Sequence, residues 1–363
     1  MAGATRPSGY GAFVLQNATQ IGSLESGFRT LTYVLPGRFP NSDLVAEAIG
    51  ASVNIAALYH DTILVPVARR QPGSTQSPFN RYTSAVLKSS TAYQRVAYAL
   101  TFMGFVDNLL EQGLTRRFGK EIKWPFVTTY EIIKLILRLS LFRMSRARMI
   151  PHSAVEEREY DPSKLNPESA EAANDAAAAT ASSPTGTGFV GSRSGKSFNS
   201  VETVGKDPQT VQTYLNNKAL SDPVKKSTDL LQSLDTLRTV AELAFILRPI
   251  VYVLMIQRYG AKSWKPWTTS LAMEVGSLAI QTNPLQLGWR SDLTQLEKDE
   301  YQKRIIFLVY YILRGPFFSE YTVPRLQRFI DWGSQKMIVS IVTGVVKDMI
   351  PMWENVYYIT AAY

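Results

Sequence analysis

The feature that most constrains the fold of this chain is a long polar segment in its middle, residues 151–226. From Val155 to Gly188 the segment is first acidic, then rich in alanine, and then rich in serine, threonine and glycine, with Tyr160 as its only aromatic residue. Such a composition cannot bury enough apolar surface to offset the entropy that is lost on ordering. We therefore predict a long disordered linker that joins two folded halves, residues 1–150 and 227–363.

Outside this linker, apolar residues recur at the spacing of helices, and no run of residues alternates as a strand would. The capping sequence Asn41-Ser42-Asp43 precedes the first clear pattern. Ser227-Thr228-Asp229 predicts the start of the first helix after the linker. The predicted fold class is all-α: a membrane-associated bundle of several helices in two halves. Further helical patterns cover residues 83–112, 124–144, 266–280, 303–313 and 338–349.

The first membrane-candidate helix is the segment 124–144, which is apolar around nearly its whole circumference. Its charged residues Glu131, Lys134 and Arg138 fall three and four positions apart and so form one narrow stripe. A charge at the centre of a bilayer costs ~2.5–3.5 kcal/mol on insertion scales. Three alternatives follow: the buried spine of a bundle, a helix in the membrane interface, or a span whose stripe faces other helices, with Glu131 paired to Lys134.

The second membrane-candidate segment is residues 240–257, where Glu242 and Arg248 interrupt the apolar sequence and Pro249 predicts a kink or a restart. Basic clusters follow both candidates, at residues 143–148 and 258–265. Positively charged flanks favour the cytosolic side of a membrane. If both clusters lie there, the chain between them crosses the membrane an even number of times or not at all.

A tryptophan-rich sequence, Trp264-Lys265-Pro266-Trp267, follows the second candidate. Indole rings favour the level of the lipid headgroups, and lysines can reach outward from there. Proline also fits the first turn of a helix, so a plain helix start explains the same residues. We expect Trp264 and Trp267 to anchor a membrane or a partner surface.

Composition excludes several classes of function. The chain has no cysteine, which rules out disulfides, thiol nucleophiles and zinc-thiolate sites. Its two histidines, His60 and His152, are most simply surface or loop residues, and the glycines of Gly191–Ser197 are too close together for a phosphate loop. We predict no catalytic residue, metal site or cofactor. The net charge of +9 comes from basic residues at the ends of apolar segments, which favours anionic lipid headgroups over nucleic acid.

Four sequence blocks carry a resemblance to a known family. In chain order they are LESGFRTLTYVLPGRF (24–39), RPIVYVLMIQRYGAKSWKPW (248–267), KRIIFLVYYILRGPFF (303–318) and IPMWENVYYI (350–359). Together they resemble the peroxin-16 family of peroxisomal membrane proteins. The resemblance reaches both ends of the chain and weakens in the middle.

The resemblance implies a protein of the peroxisomal membrane, with the endoplasmic reticulum membrane as a second location. Its function would be peroxisome biogenesis by binding, without enzymatic chemistry: it would recruit peroxin-3, which docks peroxin-19 carrying newly made membrane proteins. The matching positions are Pro36 to Phe39, Arg248, Pro249, Lys262, Trp264, Lys265, Pro266, Trp267, Tyr310, Tyr311, Arg314, Pro316 and Trp353.

Within this reading Arg248 needs a buried carboxylate, and Glu242 and Glu274 are the candidates. Two alternatives remain open for the function as a whole. One is a peripheral membrane regulator of peroxisome division, and the other is a lipid-binding or lipid-transfer protein.

Overall fold

The computed structural model describes residues 9–69, 76–159, 189–190, 197–198, 227–282, 293–336 and 339–353. The N-terminal part consists of six helices: α1 (Tyr10–Gln16), α2 (Ala18–Val34), α3 (Ser42–Ala68), α4 (Pro78–Ser89), α5 (Thr91–Phe118) and α6 (Lys120–Met144). Two strands of two residues each, β1 (Phe189–Val190) and β2 (Ser197–Phe198), pair antiparallel. Gly191 to Lys196, most of the motif noted in the sequence, lie outside the described residues.

The C-terminal part is also helical. It contains a 3₁₀ turn (Ser227–Leu230), α7 (Thr236–Tyr259), α8 (Trp264–Thr282), α9 (Gln295–Phe307), a 3₁₀ helix (Leu308–Leu313), α10 (Gly315–Phe317), a π-helical turn (Phe318–Thr322), α11 (Val323–Ser334) and α12 (Val339–Met352). The predicted all-α class is confirmed.

Side-chain caps explain where several helices begin. Ser77, Ser90 and Asp235 each accept a hydrogen bond from a backbone N–H in the first turn of the following helix, and Thr294 forms a capping box with Glu297. The predicted cap at residues 227–229 is wrong, because these residues form a 3₁₀ turn and α7 begins only after Asp235. Of the two alternatives predicted for Pro249, a restart of the helix is absent, since α7 continues through the proline.

The two predicted halves share one hydrophobic core. Helix α6 packs against α7, and α4 packs against both α9 and the 3₁₀ turn at residues 227–230. The largest core cluster therefore draws residues from both sides of the central segment; among its most buried members are Tyr82, Ala97, Leu141, Met149, Leu231 and Tyr301.

A connecting segment that we call the strap, residues 146–159, lies between the two parts. Arg146 and Ala147 adopt left-handed backbone conformations, with φ of 60° and 53°, and turn the chain out of α6. Met149 is then fully buried, and the Asn80 side chain exchanges two hydrogen bonds with the backbone of Glu157. The predicted disordered linker is therefore wrong for residues 151–159, which are packed. The rest of the linker lies outside the described residues, apart from β1 and β2.

Candidate membrane and partner surfaces

A network of buried charges holds the C-terminal helices to the strap. The carboxylate of Glu242 in α7 accepts hydrogen bonds from both terminal nitrogens of Arg304 in α9, at 2.7 and 2.8 Å. It also accepts from Gln281 Nε2 at 3.1 Å and from the backbone N–H of Ile150 at 3.2 Å. Four donors therefore satisfy the oxygens of Glu242, whose side chain is fully buried.

Arg248, one turn and a half further along α7, has a carboxylate of its own. Of the two candidates, Glu274 in α8 forms the ion pair with Arg248. The Arg248 guanidinium also donates to the Tyr311 hydroxyl at 3.3 Å, and that hydroxyl shares a hydrogen bond of 2.8 Å with Ser270. These contacts join α7, α8 and the 3₁₀ helix at residues 308–313.

The charged stripe of α6 faces inward. Lys134 Nζ lies 2.7 Å from Asp107 in α5 and 2.6 Å from Glu131, which confirms the expected pair and adds a second carboxylate. Arg138 lines a mostly apolar cavity of about 310 Å³, together with His152 and Arg304. Partial burial lowers the pKa of His152, and its ring stacks on Phe307 with a centroid distance of 4.9 Å. His152 is an exposed residue of the strap, as predicted, with one face of its ring against Phe307.

The outward faces of the same helices are apolar. Several charged residues of α6 to α9 are buried, namely Glu131, Lys134, Arg238, Glu242, Arg248, Glu274 and Arg304, whereas Arg143, Arg258 and Lys265 near the helix ends are exposed. In contrast, Leu237 is 61% exposed and Ile306 is 65% exposed. Other exposed apolar residues of these helices are Ile132, Ile133, Ile136, Val240, Leu247, Leu254, Val275 and Ile305. Water-soluble proteins rarely expose apolar surface of this extent. Polar residues inside and apolar residues outside are the arrangement that a lipid environment favours.

Length and composition locate the helices that could cross a bilayer. Among the described residues, two helices are long and apolar enough, namely α3 and α7. The predicted segment 240–257 lies inside α7. Helix α6, which contains the other predicted segment, 124–144, is not among them, because its three-charge stripe falls within any window centred on the apolar run. The core helix of a soluble protein can have the same composition, so the inverted polarity is the more specific observation.

Residues of the tryptophan-rich sequence form an aromatic cluster with the 3₁₀ helix and the residues that follow it. The rings of Trp267 and Phe317 stack, with centroids 5.7 Å apart and planes 7° apart, and Trp267 Nε1 donates to the Tyr311 carbonyl at 3.1 Å. The Arg314 guanidinium lies 4.9 Å from the ring centroid of Tyr252. Gly315, with φ of 55°, packs against Trp267: a Cβ at position 315 would lie 3.5 Å from the indole ring. Most predicted residues here therefore fasten α7 and α8 to the chain after α9.

The outer part of the aromatic cluster reaches the surface. Trp264 is 36% exposed and meets both Trp267 and Tyr321 edge to face, at centroid distances of 5.3 and 6.1 Å. Beside it, the Lys265 ammonium lies 4.7 Å from the ring centroid of exposed Tyr259. The structure places the other predicted residues as follows: Pro249, Pro266 and Pro316 are buried, Lys262 and Tyr310 are exposed, and Trp353 follows α12, with no ring contact to the cluster among the described residues.

A second surface lies at the other end of the chain, in an apolar groove of about 620 Å³ between α2 and α3. Its walls include Ile21, Leu24, Phe28, Val45, Ile49 and Val53. Its floor is polar: His60 Nδ1 lies 2.7 Å from Glu25, whose other oxygen accepts from Arg158 of the strap at 2.7 Å. The expectation that His60 is a surface residue is wrong, because the ring is buried in this network. The position of His60 within an apolar helical pattern could have indicated from sequence that the ring is buried.

The PGRF sequence forms the turn between the two helices of the groove. Gly37 has φ of 79°, which suits glycine, and its backbone N–H donates to the Ser42 hydroxyl at 2.9 Å. Among the described residues, no group of three or more histidine or acidic side chains could hold a metal ion.

Comparison with known proteins identifies the family. The family model for "Peroxisomal membrane protein (Pex16)" matches residues 8–355. This chain belongs to the Pex16 family. The resemblance read from the four sequence blocks is thereby confirmed, and the chain is a peroxisome biogenesis factor of the peroxisomal membrane.

Two curated relatives extend the Pex16 comparison. The chain is 24% identical to "Peroxisome biogenesis protein 16" of Arabidopsis thaliana over 345 residues, which cover 88% of this chain and 89% of the relative. It is 28% identical to "Peroxisome biogenesis factor 16" of Dictyostelium discoideum over 126 residues, which cover 34% of this chain and 31% of that relative. No solved structure matches the chain. For a Pex16 protein, the apolar exterior of α6 to α9 agrees with a location in a membrane.

Proposed function

We propose that this chain is a non-enzymatic docking factor: it recruits peroxin-3 to the membrane and so supports insertion of peroxisomal membrane proteins that peroxin-19 delivers. The same recruitment at the endoplasmic reticulum membrane would support the formation of new peroxisomes there. One observation carries the proposal, namely that a chain with a lipid-compatible exterior also has a separate, open apolar groove, between α2 and α3.

The groove has the chemistry of a site for a partner helix. Its walls are aliphatic and aromatic side chains at helical spacing, which is the surface into which an amphipathic helix places its apolar face. The Glu25–His60 pair on the floor is tied to Arg158 of the strap, so the groove is held by a rigid support. Leu24 and Phe28 on its rim are 62% and 48% exposed, and a partner helix would cover them.

A groove variant tests the proposal. In cells that lack the endogenous protein, Val45→Asp/Ile49→Asp places two carboxylates on the apolar wall of α3. A docked helix would bury them unpaired, so we expect roughly a tenfold or greater loss of peroxin-3 co-purification. Tagged peroxisomal membrane proteins should then scatter to other organelles. The matched control is Tyr33→Asp, which adds a carboxylate at a residue of α2 that is 73% exposed and does not line the groove.

The imaging readout also distinguishes the alternative function. If the groove variant leaves membrane proteins correctly placed on fewer, swollen peroxisomes, the chain regulates division and the docking proposal is wrong. If peroxin-3 is retained by the groove variant as well as by the control, the groove is not its binding site.

A further inference from the structure

We propose that α11 lies along the membrane surface and binds anionic lipid headgroups through one exposed face. This face, which we call the α11 outer face, consists of Tyr321, Arg325, Arg328, Phe329, Trp332 and Lys336. Residues 325, 328, 329 and 332 fall on one side of α11 by their spacing, Tyr321 lies in the π-helical turn before the helix, and Lys336 follows the end of the helix. The inference rests on the membrane location of the family and is independent of the recruitment of peroxin-3.

The outer face combines exposed rings with cations that lie over them. Phe329 and Trp332 are 42% and 52% exposed, and their ring centroids are 5.9 Å apart. The Lys336 ammonium lies 4.1 Å from the centroid of Trp332, and the Arg325 guanidinium lies 5.9 Å from that of Tyr321. Aromatic rings with long basic side chains reaching past them are the side chains that favour the boundary between lipid and water.

The charge of the outer face selects the kind of lipid. Within α11 the charged residues are Arg325, Arg328 and Asp331, and Lys336 follows one turn later. Asp331 lies about 120° around the helix from the centre of the face, since each residue advances by about 100°. The face itself therefore carries three positive charges, which complement a surface of anionic headgroups.

The position of α11 in the fold points to a bilayer as the occupant. Through the contact of Tyr321 with Trp264, the outer face continues into the exposed part of the aromatic cluster. That cluster sits at the turn between α7 and α8, where Arg258, Lys262 and Lys265 also lie. The side of α11 that lies roughly 90° around the helix from the centre of this face packs on α12 at Gly333, which is buried. One side of α11 is thus held by the protein, and the outer face completes a continuous aromatic and basic surface at one end of the apolar α7–α8 hairpin.

Depth-dependent fluorescence quenching tests the contact directly. The full chain is purified in mild detergent and added to vesicles of phosphatidylcholine with phosphatidylserine that carry brominated acyl chains. The emission lost in Trp332→Phe relative to the unsubstituted protein reports Trp332 alone. We expect bromines near the headgroups to quench this difference signal, and bromines near the bilayer centre to quench it less. A difference signal that no bromine position quenches would overturn the proposal.

Charge neutralisation tests the lipid specificity. Arg325→Gln/Arg328→Gln/Lys336→Gln should lower partitioning onto vesicles with phosphatidylserine by roughly 100-fold, and partitioning onto phosphatidylcholine vesicles much less. Lys88→Gln/Arg95→Gln/Arg117→Gln removes three positive charges at exposed positions of α4 and α5 and should have little effect on either. Arg325→Lys/Arg328→Lys/Lys336→Arg keeps the three charges and should preserve binding, which would assign a loss in the glutamine variant to charge.

The outcomes separate this proposal from the recruitment of peroxin-3. Equal losses for the two neutralised variants would mean that net charge alone acts, and would overturn a specific role of α11. An α11 variant that keeps its lipid binding but fails to capture purified peroxin-3 would make the outer face a protein site instead. Groove variants that lose peroxin-3 while Trp332 remains quenched would count against the proposed function only.

Discussion

At the scale of single residues, the pair of Arg248 and Glu274 explains why a charged residue stands at the start of the second sequence block, whose next residues are apolar. Both are almost completely buried and form an ion pair between α7 and α8. A buried ion pair contributes little net stability relative to an apolar pair of similar size, but loss of one partner leaves the other charge uncompensated. The pair therefore acts more as a constraint on how the two helices align than as a source of stability.

Glu274→Gln should lower the free energy of unfolding by about 3–5 kcal/mol, because it leaves the Arg248 charge buried without a carboxylate. Arg248→Met/Glu274→Met, which removes both charges, should cost much less. Denaturation of the purified protein in mild detergent measures both, with Glu320→Gln at an exposed position as the control. A double substitution as costly as the single one would contradict this account.

His152 should make stability depend on pH. Burial lowers its pKa in the folded protein below the value of about 6.5 expected when unfolded. The unfolded chain therefore binds the proton more readily, and stability should fall as the pH drops from about 6.5 toward the lower folded pKa. His152→Gln keeps the backbone N–H that donates to Glu300. This substitution should reduce the slope of the melting temperature against pH in this range. Equal slopes for both proteins would show that other groups cause the dependence.

At the scale of elements, the sequence was sufficient to locate most helices but not their ends. The pattern at residues 83–112 reads as one helix, yet Ser90 ends α4 and caps α5. The apolar run after Lys303 likewise changes from α9 to a 3₁₀ helix and then to a π-helical turn. Such changes come from tertiary contacts, including those of Trp267 with Tyr311 and Phe317, which no local periodicity encodes.

The same limit applies to the candidate sites. The family resemblance singled out Trp264, Trp267, Tyr311 and Arg314 as site residues. In the structure these side chains contact one another in one cluster. The groove between α2 and α3 and the outer face of α11 were missed, because exposure of an apolar side chain depends on which neighbouring helix covers it. A helical pattern indicates an apolar face but not whether another helix packs on it.

Gly333 should be the position where α11 and α12 tolerate no side chain. A Cβ there would lie 2.5 Å from Thr343 Cγ2 and 2.9 Å from Val339 Cγ1, and both neighbours are stiff, branched side chains. Gly333→Ala should therefore destabilise the protein by ~1–3 kcal/mol. Gly344→Ala in α12 meets nothing within 4 Å and should stabilise by about 0.5–1 kcal/mol. Thermal unfolding of the two variants measures this difference. Equal midpoints for Gly333→Ala and Gly344→Ala would argue against close packing of α11 on α12.

At the scale of the whole molecule, the two parts of the chain form one folded unit. The composition of residues 151–226 predicts a division into two helical regions in the sequence, but composition carries no information about packing between them. The shared core, the Glu242–Arg304 pair and its contacts with Ile150 join the regions in space. Polar networks of this kind are specified by residues that are far apart in sequence, and for that reason they could not be read from it.

A protease site inserted after residue 170 should therefore cut the chain without separating its parts. We expect the two fragments to elute together in size-exclusion chromatography in mild detergent, because the interface between α6 and α7 and the strap remain intact. Glu242→Gln in the same cleaved protein removes the carboxylate shared by Arg304 and the Ile150 N–H, and should promote separation. Fragments that separate without this substitution would mean that the regions are independent domains.

The strap has a further consequence for how the length of this protein can vary. Arg148 pairs with Ser233 in an antiparallel bridge, and the Leu234 N–H donates to the Ala147 carbonyl at 3.0 Å. The two ends of the segment that joins these residues are therefore fixed side by side. The entropy of closing a loop grows only with the logarithm of its length, so doubling the length costs just ~0.6 kcal/mol. Whole domains or reporter proteins could be accommodated there at almost no cost to folding.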